Sequence, residues 1–215
     1  MRFFDSKSYK VVELFLLGVI LPGSVIIFKL ANYIILILWI IFIYSLIIFL
    51  IFYKNKYKEV LKLNSVTKKN LLVIITRWIF ISIVLYIITY YFFNDKLFIV
   101  QKNSPDLIWK ILVMYPIFSA LPQEFLFCTF FFSRYQNFFK NQEQIIYASA
   151  LFFSLAHVFF LNMVAPILGF LAGLIFARTF YNTRSLFLVS IEHGLYGNSL
   201  FYIGLGWYFW GGSII

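Results

Sequence analysis

Seven apolar runs of about 20 residues follow one another along this chain, separated by short polar connections. An α-helix of about 20 residues spans the roughly 30 Å hydrocarbon core of a bilayer. The chain is 63% hydrophobic and only 12% charged, a composition that excludes an ordinary soluble domain. The sequence therefore predicts an all-α, polytopic transmembrane helix bundle. The predicted spans are residues 11–30, 32–53, 71–93, 111–133, 144–161, 163–180 and 185–206.

The distribution of Lys and Arg predicts the orientation of these spans. With a cytoplasmic N-terminus, thirteen of the 18 basic residues lie in inner segments, and only Lys29, Lys96, Lys102 and Lys110 lie outside, while Arg77 falls within a span. This bias follows the positive-inside rule. We therefore expect the positive charge to face anionic lipid headgroups, and we expect no nucleic-acid partner.

The chain is expected to have two parts. Residues 1–70 would form an N-terminal transmembrane hairpin and a basic cytoplasmic linker, and residues 71–215 a transmembrane core. Three apolar linker residues could rest on the membrane surface, namely Val60, Leu61 and Leu63. The composition and the short loops suggest a prokaryotic protein, hence one of the cytoplasmic membrane.

Polar residues interrupt three of the apolar runs: the pair Gln123 and Glu124, then His157, then His193. Ionisable groups inside a bilayer are costly and usually functional. At 1.5 Å per residue, Glu124 and both histidines lie roughly 12–18 Å from a membrane face, which is near the midplane. A single histidine in a membrane more often bonds across a helix interface, but three groups at one depth favour one site. Close helix contact is expected at Gly169 and Gly173, which have the GxxxG spacing.

Three segments in this order resemble the motifs of the CPBP intramembrane proteases, a family that includes CAAX prenyl endopeptidases and bacteriocin-processing relatives. The family motif EExxxR corresponds to QEFLFC at residues 123–128, and FxxxH corresponds to FSLAH at residues 153–157. The third motif, a histidine followed four residues later by Asn or Asp, corresponds to HGLYGN at residues 193–198. The resemblance covers roughly residues 109–206.

This resemblance implies a glutamate-dependent peptide hydrolase within the membrane. Glu124 and His157 would activate water, and His193 and Asn198 would donate hydrogen bonds to the developing oxyanion. These roles match what amide hydrolysis requires, a base within reach and donors directed at the new negative charge. The implied partners are a peptide or protein substrate at the membrane and the lipid bilayer, and no cofactor is implied.

The first motif departs from the family pattern at two positions. Gln123 stands where the family has its leading Glu, and an amide cannot accept a proton from water. Glu124 would have to serve instead, although it lies about 100° around the helix and so needs a local rotation at Pro122. Cys128 replaces the Arg, and a cysteine nucleophile is disfavoured because a thiol in apolar surroundings is inert.

The third motif also departs from the pattern, because Asn198 follows His193 by five residues. A π-bulge at Gly194 or Gly197 would restore the alignment. Glu192 supplies the second carboxylate that the first motif lacks. We hypothesise that Glu192 orients a site histidine or shares a proton with Glu124, while a structural hydrogen bond to the fifth or sixth span is equally open.

Three other functions remain as alternatives. One is a zinc-dependent membrane protease that uses two histidines and a glutamate as ligands, although no HExxH segment is present. Another is a catalytically inactive relative that binds a peptide, as an immunity or regulatory factor. A transporter is disfavoured, because no inverted internal repeat is evident. The sequence does not select a particular substrate.

Overall fold

The computed structural model describes residues 3–56 and 63–210 and contains no strand in either range. Within these ranges seven long helices follow one another, of which six are candidate membrane spans where the sequence predicts seven, and the predicted all-α fold class is confirmed. They are α1 (Lys7–Ile27), α2 (Ala31–Phe52), α3 (Lys68–Phe92), α4 (Pro105–Phe138), α5 (Gln142–Phe160), α6 (Val164–Thr183) and α7 (Leu186–Ile203).

The seventh helix differs from the other six in its surroundings. In the described part of the chain, α1 to α6 are the helices that are long and apolar enough to cross a membrane. Helix α7 instead contacts α3, α4 and α6, and its residues Leu188, Val189 and Glu192 are fully buried. Polar groups on α7 are therefore surrounded by protein rather than by lipid.

Helix α4 is longer than predicted and is not uniformly α-helical. It extends from Pro105 to Phe138, whereas the apolar run predicts residues 111–133. Two π-helical segments, Pro116–Ala120 and Phe125–Phe130, flank the short α-helical turn Leu121–Glu124. Because π-helical turns contain an extra residue, they change the faces on which the following side chains lie.

Helices α5 and α6 pack closely because glycine provides the space. A Cβ atom added at Gly173 would lie 2.9 Å from the Cα atom of Ala150 on α5, so a larger residue would push the two backbones apart. One added at Gly169 would lie 3.4 Å from the ring of His157. The close contact predicted from the GxxxG spacing is confirmed.

A buried ion pair attaches the N-terminal hairpin to the core. Glu13 on α1 accepts hydrogen bonds from Arg134 Nε at 2.7 Å and from the Tyr135 hydroxyl at 2.7 Å, both on α4. Both Glu13 and Arg134 are almost fully buried. The long α4 brings Arg134 to Glu13, so this carboxylate has a buried cation beside it.

The linker between α2 and α3 is described only in part. Val60 and Leu61, which we expected on the membrane surface, lie outside the described residues, whereas Leu63 is exposed. The Ser65 hydroxyl donates a 2.7 Å hydrogen bond to the carbonyl of Thr183 and so fastens the start of α3 to the end of α6.

Candidate active site

A cavity of about 660 Å³ lies between the N-terminal hairpin and helices α4 to α7. Aliphatic and aromatic side chains form most of its lining, including residues of α1 and α2. Polar lining residues include Tyr115, Ser119, Gln123, His157 and His193. An apolar cavity with a few converging polar groups is the usual form of a ligand or active site.

A carboxylate and an imidazole form a buried pair at the edge of this cavity. Oε1 of Glu124 lies 2.7 Å from Nδ1 of His193, and the Glu124 side chain is fully buried between α4 and α7. The His193 ring stacks on Phe176 with 4.6 Å between centroids, which fixes the plane of the imidazole. Glu124 is not among the cavity-lining residues, whereas His193 is, so Glu124 acts on the cavity through His193.

The second imidazole borders the same part of the cavity. His157 follows the regular part of α5, which ends at Leu155, and its Nδ1 lies 2.6 Å from the carbonyl oxygen of Phe153. A carbonyl only accepts hydrogen bonds, so Nδ1 carries the hydrogen and Nε2 is unprotonated in the neutral ring. The Phe153 ring contacts both His157 and His193, with centroids 4.8 and 5.5 Å away. The structure thus brings Glu124, His157 and His193 together.

Gln123 lines the cavity, although the expected mechanism requires Glu124 there. Its Nε2 donates a 2.8 Å hydrogen bond to the hydroxyl of Ser119, one turn earlier. The rotation that we expected at Pro122 is absent, because Pro122 lies in the regular turn between the two π-helical segments. Gln123 therefore remains on the cavity side, while Glu124 faces α7.

Asn198 contacts the backbone of α4 rather than the cavity. Its Nδ2 donates a 3.0 Å hydrogen bond to the carbonyl of Leu112, and it is not among the cavity-lining residues. The expected π-bulge at Gly194 or Gly197 was wrong, because α7 is a regular α-helix throughout. These glycines leave space for α4 instead of loosening α7.

Glu192 belongs to a separate buried cluster. Arg77 Nη2 lies 2.6 Å from its Oε1, and the hydroxyls of Thr179 and Tyr196 donate to it at 2.6 and 3.1 Å. Among the described residues, Glu192 has no hydrogen bond to His157, His193 or Glu124. The hypothesis that Glu192 orients a site histidine or shares a proton with Glu124 therefore has no contact to support it. Consecutive residues point about 100° apart on a helix, so Glu192 and His193 face different neighbours. Glu192 instead forms a structural hydrogen bond to the sixth span, through Thr179, which is the alternative given above.

Cys128 is buried and donates a 3.1 Å hydrogen bond to Oε2 of Glu124. A thiol in this arrangement keeps its proton, because the neighbouring carboxylate disfavours a second negative charge. Cys128 is also absent from the cavity lining. These contacts indicate that Cys128 supports Glu124 through a hydrogen bond and does not act as a nucleophile.

The donor groups do not fit the zinc alternative. No three His, Cys, Asp or Glu side chains within residues 3–56 and 63–210 form a group that could hold a metal ion. Glu124 is bonded through both oxygens to His193 and Cys128, and Nδ1 of His157 is bonded to a carbonyl. Two histidines and a glutamate therefore do not converge on one point.

Sequence reasoning missed Tyr115, whose hydroxyl oxygen lies 2.8 Å from Nε2 of His193. Both ring nitrogens of His193 thus have partners, Glu124 on one side and Tyr115 on the other. Tyr115 is one of 15 tyrosines and lies outside the three motifs, so the sequence held no signal for it.

Comparison with known families covers the part of the chain that forms this site. Residues 105–198 match the model of a family described as Type II CAAX prenyl endopeptidase Rce1-like. This segment is similar to that family. The resemblance found from the three motifs is therefore confirmed, and helices α1 to α3 lie outside the match. No curated protein and no solved structure matches the chain.

The six apolar helices support a multi-pass membrane protein, and the matched segment is similar to a family of membrane proteases. The match includes Glu124, His157 and His193, and it ends at Asn198. The catalytic roles of these residues stay predictions.

Proposed function

We propose that this protein is an intramembrane endopeptidase that hydrolyses a peptide bond of a membrane-associated substrate. The main support is the buried hydrogen bond between Glu124 and His193 beside a cavity that His157 also lines. A carboxylate-oriented imidazole and a second imidazole are groups that amide hydrolysis can use. The Rce1-like match supports the same class of reaction.

In this mechanism His157 is the base that takes a proton from water. The hydrogen on Nδ1 is committed to the Phe153 carbonyl, so Nε2 has the free lone pair. An imidazole nitrogen with a free lone pair can accept a proton from a water molecule within hydrogen-bond reach. Gln123 cannot replace it, because an amide oxygen does not take up a proton at ordinary pH.

Glu124 acts as a positioning residue for His193. Its carboxylate accepts the Nδ1 hydrogen, which fixes the orientation of the ring and stabilises the charged imidazolium. Glu124 is thus proposed to contribute through His193 and not as the base, the role that the sequence alone suggests. Asn198 would have to leave the Leu112 carbonyl before it could donate to an oxyanion.

The lining of the cavity favours an apolar substrate segment. Residues of six helices, mostly aliphatic and aromatic, enclose a volume that holds several peptide residues. Access from the bilayer would bring in a membrane-associated peptide without exposing it to bulk water. The proposal includes the cytoplasmic membrane and a cytoplasmic N-terminus, which the distribution of Lys and Arg supports.

A second candidate function is an inactive relative that binds a peptide. Gln123 lines the cavity where the family pattern has its leading Glu, and this observation favours the second candidate. The two candidates differ in turnover, because a binder retains its peptide and an enzyme releases two shorter products.

Cleavage by the purified protein tests the proposal. The substrates would be a pool of synthetic peptides, each with an apolar segment of about 20 residues, reconstituted with the protein in lipid vesicles. New termini would be identified by mass spectrometry. We expect cleavage by the wild type that persists in the presence of chelators, and no cleavage by His157→Ala or His193→Ala.

Glu143→Gln is the control, because Glu143 forms a half-exposed ion pair with Arg178 and lies outside the cavity. It should cleave at the wild-type rate. Cleavage that both histidine variants retain would contradict the proposal. If the wild type binds peptide without cleaving it, and Gln123→Glu creates cleavage, the inactive relative is the correct function.

A further inference from the structure

One face of α7 holds a short segment of α4 in place. Its residues His193, Gly194, Gly197 and Asn198 all contact α4 residues 112–116. These four residues recur at helical spacing, so they share one face of a regular helix. The contacts differ in kind, but all of them fix the position of the same short segment of α4.

The glycines on this face determine where Tyr115 can lie. A Cβ atom added at Gly197 would lie 2.1 Å from Cε1 of Tyr115, and one added at Gly194 would lie 3.0 Å from Cβ of Pro116. A larger residue at position 197 would therefore displace the Tyr115 ring. Asn198 bonds the carbonyl of Leu112, three residues before Tyr115. The whole face thus orients one phenol group.

The hydroxyl of Tyr115 is bonded to His193, and both residues line the cavity. It is 2.8 Å from Nε2 of His193. Glu124 holds the opposite nitrogen of the ring. His193 lines the cavity, but both of its ring nitrogens have partners, so the polar group beside it that can turn to a substrate is the phenol of Tyr115.

We infer that Tyr115 is a catalytic residue that donates a hydrogen bond to the oxyanion formed during peptide hydrolysis. The inference rests on the proposed function. When His193 is an imidazolium, Nε2–H donates to the phenol oxygen, and the phenol O–H is free to point into the cavity. The charge of the imidazolium strengthens that donor, because hydrogen bonds in a chain polarise one another.

The reaction balances with water as the only co-reactant. The water oxygen bonds to the peptide carbon, one water proton passes to Nε2 of His157, and the carbonyl oxygen becomes an oxyanion held by Tyr115. The carbon–nitrogen bond then breaks, the oxyanion reforms a carbonyl, and His157 returns the proton to the leaving amine. The products are a carboxylic acid and an amine, and Tyr115 and His193 keep their protons throughout.

Asn198, to which the family resemblance assigns the oxyanion role, is a positioning residue in this account. Its amide is bonded to Leu112 and its Oδ1 is buried without a partner. It acts on the reaction by fixing α4 near Tyr115. This placement explains how a spacing of five residues from His193 to Asn198 is compatible with a regular helix.

The test compares Tyr115→Phe with the wild type on a peptide that the wild type cleaves. The ring of Phe fills the same space beside Gly197 and Phe201, so the fold should be retained. We expect kcat to fall by about 10²–10³-fold, the usual effect of removing one oxyanion donor, with KM changed by less than about threefold. Tyr202→Phe is the matched control on the exposed surface of α7 and should keep the wild-type kcat.

A second variant, Gly197→Ala, keeps the hydroxyl but displaces the ring. It should lower kcat as Tyr115→Phe does, whereas Gly23→Ala, where an added Cβ meets no atom within 4 Å, should not. If His157→Ala is inactive but Tyr115→Phe retains the wild-type kcat, the proposed function stands and this inference is overturned. If the wild type cleaves nothing, the proposed function fails, and the inference fails with it.

Discussion

Two neighbouring residues of α7 belong to two buried clusters with different chemistry. Glu192 is bonded to a guanidinium and two hydroxyls, those of Arg77, Thr179 and Tyr196. His193 is bonded to a carboxylate and a phenol beside a cavity. The first cluster contains a permanent cation, and the contacts of its carboxyl group join α7 to α3 and α6. The second contains an imidazole, which can gain and lose a proton.

The comparison separates a structural acid from a functional one. Both Glu124 and Glu192 are fully buried, so burial alone does not distinguish them. The partners do, because Arg is effectively always charged whereas His changes its charge near neutral pH. A buried carboxylate bonded to an imidazole that lines a cavity is the better candidate for a role in catalysis.

The largest effect on stability is expected when the cation of the first cluster is removed. Arg77→Ala leaves Glu192 buried without its charged partner, which should lower the free energy of unfolding by about 3–5 kcal/mol. Arg178→Ala is the matched control, because the Arg178–Glu143 pair has the same short contacts but is half exposed and should contribute about 0–1 kcal/mol. Thermal unfolding of the two variants in detergent measures the difference. Equal losses would show that the Arg77 pair is no more important than a surface ion pair.

A smaller effect is expected at the contact between α7 and α4. Asn198→Ala removes the hydrogen bond to the Leu112 carbonyl and should cost about 0.5–1.5 kcal/mol of unfolding free energy. Asn94→Ala is the control, since its side chain also bonds a carbonyl but is exposed and should cost less. The account predicts a decrease in turnover for Asn198→Ala that is smaller than for Tyr115→Phe. A larger decrease in turnover for Asn198→Ala than for Tyr115→Phe would indicate that Asn198, and not Tyr115, is the oxyanion donor.

The smallest effect is expected at Cys128. Cys128→Ala removes one weak donor to Glu124 and should change turnover by less than about tenfold, because the His193 hydrogen bond remains. Initial rates of peptide cleavage measure this change. Complete loss of cleavage in a folded Cys128→Ala variant would support the cysteine nucleophile that the thiol contacts disfavour.

The sequence predicted the features that depend on long apolar runs and on motif order. The all-α bundle and the Rce1-like resemblance followed from these patterns and are confirmed. The direction of each polar side chain was harder to predict. One residue along a helix turns a side chain by about 100°, and the two π-helical segments of α4 add a further change.

The predictions from the sequence that were wrong concern the direction of individual side chains. Glu124 was expected in the cavity and lies behind His193, and Glu192 was assigned to the site but is bonded to Arg77. Each misplaced carboxylate is paired with a group from a distant part of the chain, which residue spacing within one helix cannot reveal.

The most direct test compares the two buried carboxylates through one substitution each. Glu124→Gln and Glu192→Gln would be purified, checked for folding, and assayed in a single turnover on a peptide that the wild type cleaves. The account predicts a decrease of roughly 10³–10⁴-fold for Glu124→Gln, because a neutral amide does not stabilise the imidazolium of His193 and its NH2 group can compete for Nδ1. It predicts a rate within about tenfold of the wild type for the folded fraction of Glu192→Gln. Equal rates for the two variants, or a greater loss for Glu192→Gln, would contradict it.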